Sequence, residues 1–429
     1  MFLTALALAA APVDLRAEVA EDLPELLELY RHLHANPELS GQEYETAKLL
    51  AGKARALGFE VTEGVGGTGV VAVMRNGAGP TLMIRADMDA LPLVEQTGLP
   101  YASRVTAVAP QSGVETGVMH ACGHDLHMAG WLGTAQQMVE RKADWSGTLV
   151  MILQPAEETG KGARAMLEDG LYTRFPKPDR VIAFHDDASR PAGMLGVGSG
   201  YVMANVDSVD VTIRGVGGHG AYPHGAKDPI VAASHFVTAL QTLVSRDLDP
   251  LENGVVTVGS FHAGAKHNVI PDEAKLLLTV RSYTPEVRAQ LLEGIERIAT
   301  AQALSAGMPQ DKMPTIEVRD EFTPSTYNDP PLADRALALF RDRFGEDRVT
   351  IPRPVMGGED FGRYGRNDDS IESLMFRVGA QPMDKWVEAG GDPAKLPSLH
   401  SPFFAPDPEP AIATATEALT ALALDILKP

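Results

Sequence analysis

Thr148-Leu149-Val150-Met151-Ile152-Leu153-Gln154-Pro155-Ala156-Glu157-Glu158 is an apolar run that stops at a proline and then delivers two adjacent carboxylates. A run this short, closed by turn-forming residues, reads as a buried strand followed by a loop. The same pattern recurs at Arg180 to Phe184, and a helical stretch around Ala163 to Glu168 lies between the two. Upstream, Val70 to Met74 and Thr81 to Ala86 read as further strands, behind helices expected at Glu21 to Leu33 and, opened by a capping box at Ser40-Gly41-Gln42-Glu43, through Leu57. Alternation of strand and helix predicts an α/β domain with a largely parallel sheet, whose ligands bind beyond the carboxyl ends of the strands.

Working outward, residues 205–321 follow another rule. Ser208 to Arg214 alternates as a strand, Asp228 to Arg246 is helical, Val255 to Phe261 and Ala274 to Arg281 are strands, Pro285 to Ala306 is helical and Thr315 to Val318 is a strand. That β-α-β-β-α-β order is the ferredoxin-like unit. Helices at Pro331 to Phe344 and Pro410 to Leu427 then resume the larger domain. The expected organisation is a catalytic domain of residues 16–204 and 322–429, interrupted by a small domain at 205–321; 429 residues exceed what one ordinary core holds.

A formal charge of -20 repels nucleic acid and anionic lipid, so a small molecule is the expected partner, and no apolar run reaches the ~20 residues of a membrane span. If that molecule is itself a carboxylate, metal ions or an arginine must supply local positive charge. The single cysteine, Cys122, excludes an internal disulfide. Phe2 to Ala11 is apolar and ends in small residues before Pro12. It reads either as the core of a signal peptide at residues 1–15, though without a basic leader, or as a hydrophobic first turn. Export or a cytoplasmic location follows from that choice.

Polar groups cluster just past the expected strand ends: Asp87-Met88-Asp89, Glu157-Glu158 and His185-Asp186-Asp187. Between them, His120-Ala121-Cys122-Gly123-His124-Asp125 sets a thiol and an imidazole two residues apart, on one side of an extended segment. Thiolate, imidazole and carboxylate donors suit zinc or a related first-row ion, although for this motif alone a buried cysteine beside a hydrogen-bonded histidine is the commoner explanation. Two adjacent carboxylates on a cleft floor repel, which favours one as a metal ligand and the other as a proton shuttle.

Eight motifs in order carry a resemblance: Arg31, His34 and Pro37-Glu38-Leu39; Arg85 to Pro92; His120 to Asp125; Gln154 to Glu158; Gly217-Gly218-His219-Gly220 with Pro223-His224; His267 to Asp272; Gly357 to Phe361; and Leu399-His400-Ser401-Pro402. Over nearly the whole chain they resemble the dinuclear metallopeptidase family of aminoacylases, hippurate hydrolases and indole-acetyl-amino-acid hydrolases. The resemblance implies two divalent ions (zinc, manganese, cobalt or nickel) held by Cys122, His124, Glu158, His185 and His400. It implies Glu157 as general base, His219 as oxyanion stabiliser, and homodimerisation through the inserted domain. Asn268 and Arg281 match positions near the substrate; Arg281 pairs with a substrate carboxylate or simply faces solvent. Wider relatives have a histidine where this chain has Asp87, which leaves the role of Asp87 open and favours Asp89 as a residue that orients a ligand. His34, His127 and His224 receive no firm role. The implied reaction is hydrolysis of an N-acyl-L-amino acid; a dipeptidase or carboxypeptidase on the same scaffold is the alternative, and a non-catalytic solute-binding protein the reading from another class.

Overall fold

In this computed structural model residues 14–110, 112–320, 322–368 and 370–428 are described; the apolar run Phe2 to Ala11 lies outside them. In chain order the elements are α1 (Leu15–Ala35), α2 (Tyr44–Ala56), β1 (Glu60–Val65), β2 (Gly69–Asn76), β3 (Thr81–Asp87), α3 (His124–Glu140), β4 (Gly147–Gln154), α4 (Gly162–Glu168), β5 (Arg180–Pro191) and β6 (Leu195–Gly196). Next come β7 (Asn205–Arg214), α5 (Pro229–Thr242), β8 (Gly254–Ala263), β9 (Glu273–Ser282), α6 (Pro285–Ser305) and β10 (Thr315–Val318). The chain closes with α7 (Pro330–Phe344), β11 (Val349–Thr350), β12 (Glu372–Gln381) and α8 (Pro408–Ile426). Two compact units result: residues up to Ser199 with Asn328–Pro352 and Tyr364 onward, and Gly200–Tyr327 with Arg353–Arg363.

The larger unit is built on a mixed sheet of order β1-β2-β4-β3-β5-β12-β6-β11 among the described residues. Its centre is parallel, β4 and β5 flanking β3 on opposite sides, and β1, β2 and β6 pair antiparallel at the margins. A strand whose two successors lie on opposite sides opens a crevice at its carboxyl end. Asp87 ends β3 at that point.

Leu26, Leu29, Tyr30, Leu33 and His34 repeat at helical spacing along α1 and are all buried. They face α3 and α8, which pack on one another over the sheet. A β-carbon at Gly133 would stand 2.7 Å from Leu26 Cδ1 and 2.7 Å from Thr416 Oγ1, so glycine there is what lets the three helices close. Emptying this layer, as in Leu33→Ala, is worth about 2–5 kcal/mol. Among the described residues, no helix is long and apolar enough to cross a membrane.

Two local expectations fail for identifiable reasons. Ser40 to Glu43 do not form a capping box: α2 begins at Tyr44, and Glu43 at its cap makes no side-chain cap bond because its carboxylate turns inward. Nor does β5 end at Phe184. It runs to Pro191 because β12 keeps offering backbone partners, pairing Arg377 with His185 and Val378 with Asp186, whereas the β3 ladder stops at Arg85 opposite Ala183.

The smaller unit is a β-α-β-β-α-β fold with antiparallel order β8-β9-β7-β10. Burial alternates along β7, placing Val209, Val211 and Ile213 against Phe236 and Leu240 of α5 and Leu291 and Ile295 of α6. Arg353–Arg363, beyond the stretch read as an insert, joins this unit through Ala204 N–H, which donates to the carbonyls of Val355 and Gly357.

Candidate metal centre

Four chain segments meet at the carboxyl end of β3. Gly123 breaks the segment between Cys122 and His124 with φ of 74° and caps α3, so His124 opens a helix rather than continuing an extended run. A β-carbon on Gly123 would lie 2.6 Å from the Asp186 carboxylate, which closes the position to any other residue. Despite the turn, Cys122 and His124 present donors to one centre, and the extended-segment reading reached the right neighbours by the wrong geometry. Glu157 and Glu158 leave the loop after β4, His185 lies in β5, and His400 sits in a distant loop with φ of 64°. The His400 N–H donates to Ala121 O at 2.8 Å and so ties that loop beside Cys122.

Cys122 Sγ stands 3.3 Å from His400 Nε2 and 3.8 Å from His185 Nε2. Glu158 Oε1 is 3.5 Å from His400 Nε2 and 4.0 Å from His124 Nε2. Several donor triads with atoms within 4.8 Å of one another crowd this centre, and Cys122 belongs both to Cys122-His124-His185 and to Cys122-Glu158-His400. Asp87 and Glu157 border the same space: Asp87 Oδ2 is 3.6 Å and Glu157 Oε2 is 3.9 Å from His124 Nε2.

Hydrogen bonding orients the imidazoles. His124 Nδ1 lies 2.7 Å from Asp89 O and His185 Nδ1 lies 2.8 Å from Asp186 O. A carbonyl only accepts, so each Nδ1 carries the proton and each Nε2 turns a lone pair to the centre. His124 Nε2 and Glu158 Oε1 are buried without a hydrogen-bond partner. Burial, with the carboxylates of Glu158, Asp186, Glu157 and Asp87 around it, pushes the Cys122 thiol pKa well up. Burial likewise pushes Glu158 up to about 8, against the pull of His124. Orphaned buried donors and unfavourable anions are what a cation resolves, and the sulfur, imidazole and carboxylate set fits zinc-like first-row ions.

Behind the donors lies a layer largely invisible to sequence reading. Asp89 accepts the N–H groups of Glu157 and Glu158, each at 3.0 Å, and the Ser40 hydroxyl at 2.6 Å. Asp87 is engaged by Arg85 and by His127, both at 2.6 Å, and Asp186 N–H donates to His127 Nε2 at 3.0 Å. His127 thus ties the end of β3 to β5 beside His185.

His34 is enclosed between Asp125, 2.7 Å from Nδ1, and Glu95, 3.1 Å from Nε2. Burial opposes its charge, but the two carboxylates win and the pKa is pushed up to about 10 from 6.5. A raised folded-state pKa stabilises fully below the unfolded value and fades as pH climbs through the folded one. The unfolding free energy of the parent should therefore exceed that of His34→Gln by about 1–3 kcal/mol near pH 6, a gap narrowing steadily from about pH 6.5 to 10. Denaturant titrations across that range measure it; a gap that widens with pH would refute the ion-pair assignment.

In the smaller unit, His219 lies on a two-residue strand paired with Val269, and Gly220 N–H donates to Asn268 O at 2.9 Å, so His219 and Asn268 are neighbours. Both are exposed, and His219 Nδ1 accepts from Ala221 N–H. Arg281, near the end of β9, donates from Nε to Thr279 Oγ1 at 3.0 Å and is half-buried, which draws its pKa down. His224 is exposed and lies by Tyr222, whose ring stands beside that of His219.

Residues 83–425 match the profile of peptidase family M20/M25/M40. The hippurate hydrolase of Campylobacter jejuni is 39% identical, over 80% of this chain and 87% of its own. Thermostable carboxypeptidase 2 of Saccharolobus solfataricus is 36% identical, over 82% and 86%. Among solved structures, a dinuclear metal-binding peptidase of family M20 from Bacillus subtilis superimposes with a TM-score of 0.77 at 31% identity, covering 95% of this chain and 99% of the other.

Proposed function

The chain belongs to peptidase family M20/M25/M40 and is an amide-bond hydrolase; from that premise we propose that it cleaves the amide of N-acyl-L-amino acids with Glu157 as general base. The observation that carries the reading is the sharing of Cys122 by two donor triads with Glu157 at their border. Cys122, His124, Glu158, His185 and His400 would hold the two divalent cations. Bound there, the cations supply Lewis-acid polarisation of a water and of the acyl oxygen.

The protein's own groups do the rest. Glu157 takes a proton from the water attacking the acyl carbon, then returns it to the departing nitrogen as the C–N bond breaks. The products are a carboxylate and a free amine, with no covalent acyl-enzyme. His219 donates to the developing oxyanion. Asp89 orients the Glu157-Glu158 loop through two backbone bonds and His124 through its carbonyl. Homodimerisation is assigned to the smaller unit, where β8 leaves a sheet edge.

Arg281 is assigned to the substrate carboxylate and Asn268 to substrate binding; a half-buried guanidinium whose Nε donates to the Thr279 hydroxyl suits an anion. Arg281→Met is expected to raise KM for N-acyl amino acids by about 10–100-fold, the worth of a charge-assisted hydrogen bond, and to leave substrates lacking the carboxylate unchanged. Equal losses on both would return Arg281 to a structural role.

The carboxypeptidase among the relatives keeps peptide cleavage open as the second reading. Turnover of N-benzoyl and N-acetyl amino acids against free-amine dipeptides, by metal-loaded protein, decides between them. Preference for the dipeptides would displace the acylase reading.

A further inference from the structure

Three consecutive amides precede and enter the paired carboxylates, and each is taken by a buried acid. Asp89 holds those of Glu157 and Glu158, and Glu43, at the start of α2, holds that of Ala156: its Oε1 accepts Ala156 N–H at 2.9 Å. The same oxygen accepts Gly41 N–H at 2.7 Å, and Oε2 accepts the Thr68 hydroxyl. The Glu43 side chain is wholly buried, with one oxygen shared by the Gly41 and Ala156 amides and the other held by Thr68.

Ala156 needs such a hold. It adopts φ 50° and ψ 39°, a left-handed conformation that a β-carbon disfavours. Its carbonyl is fixed as well, accepting from Gly162 N–H, Lys161 N–H and the Thr159 hydroxyl. Relaxation to an ordinary backbone conformation would turn the next peptide plane and swing both carboxylates, whose oxygens now lie 3.9 and 4.0 Å from His124 Nε2. Strain of this kind persists where surrounding bonds over-determine it, commonly beside reacting groups.

We propose that Glu43 is a positioning residue: its carboxylate clamps Ala156 in the left-handed conformation and thereby aims Glu157 and Glu158 at the metal centre. The link to turnover rests on the function proposed above; the clamp itself does not. Reach, not charge, is what the clamp requires. Burial, with the Asp89 charge next to it, already pushes the Glu43 pKa up, so a neutral isostere is no stranger to this pocket.

Two substitutions separate reach from charge. Glu43→Gln keeps an oxygen within range of Ala156 and can turn its amide toward Thr68; Glu43→Asp keeps the charge and falls a methylene short. Amide exchange over residues 154–160, metal content and steady-state kinetics are compared with the parent. Glu43→Gln is expected to match the parent in all three. Glu43→Asp is expected to exchange faster at Ala156 to Glu158, to lose about 10²-fold in kcat, the scale of an ångström misplacement, and to hold metal more weakly through the displaced Glu158, with KM unchanged. Glu43→Asp equal to the parent, or Glu43→Gln as impaired as Glu43→Asp, overturns the proposal. If Glu43→Asp does not fold, Glu43→Gln decides alone: slow exchange and full kcat support the clamp, and lost kcat with metal intact defeats it. A parent without amidase activity would sink the proposed function and still leave the exchange comparison to judge the clamp.

Discussion

Glu157→Gln should retain its metal, melt close to the parent and lose about 10²–10⁴-fold in kcat, the contribution of a positioned general base. The carboxamide is the same shape but cannot take a proton from water. Its backbone bond to Asp89 is untouched, so the loop should stay in register. KM should remain near the parent value, because the lost interaction belongs to the transition state rather than to bound substrate. Glu158→Gln provides the contrast: it removes a donor from the Cys122-Glu158-His400 triad and should forfeit metal before it forfeits chemistry. If metal analysis and kinetics showed Glu157→Gln as active as the parent, the proton would have to travel through another group, and the assignment of the two carboxylates would be reversed or wrong.

The second large effect is expected from Cys122→Ala. Because the sulfur is common to both triads, its removal reaches both positions at once. Elemental analysis should find fewer than two cations per chain, with an affinity loss greater than the roughly 10–100-fold typical of a partner outside the coordination sphere. Activity should fall to background and not return on adding zinc, manganese or cobalt. Serine should do little better, since a neutral hydroxyl is a poor substitute for a soft thiolate. The burial that raises the Cys122 and Glu158 pKa values gives the sign of the pH effect: loading must displace protons, so metal affinity in the parent should decline as pH falls. Two cations retained by Cys122→Ala would refute the assignment of the sulfur to both positions.

What could be read from the sequence was whatever a single segment encodes. The apolar run at Thr148 to Leu153 and the alternation at Ser208 to Arg214 announced the two architectures because burial imposes its period on neighbouring residues. The donors were legible as motif residues, and the structure brings Cys122, His124, Glu158, His185 and His400 together, while His219, Asn268 and Arg281 form part of the other unit. Illegible were the partnerships across the chain. Glu43 carries the signature of a cap, and nothing local distinguishes a carboxylate that closes a helix from one that reaches a loop more than a hundred positions away. Asp87 gave no hint that Arg85 and His127 engage both its oxygens. The turn at Gly123 was missed because what reserves the position for glycine, the Asp186 carboxylate, comes from β5.

His400 is 55% exposed, whereas the His124 side chain is sealed and that of His185 is 5% exposed. On the proposed ligation the paired seats therefore differ in kinetics even if they match in affinity. A cation held with His400 would trade with the surrounding medium, and one held with His124 and His185 would be retained. Brief dialysis against a chelator should yield a half-loaded protein, and refilling it with a second element should give a mixed-metal enzyme in which each seat can be followed by its own spectrum.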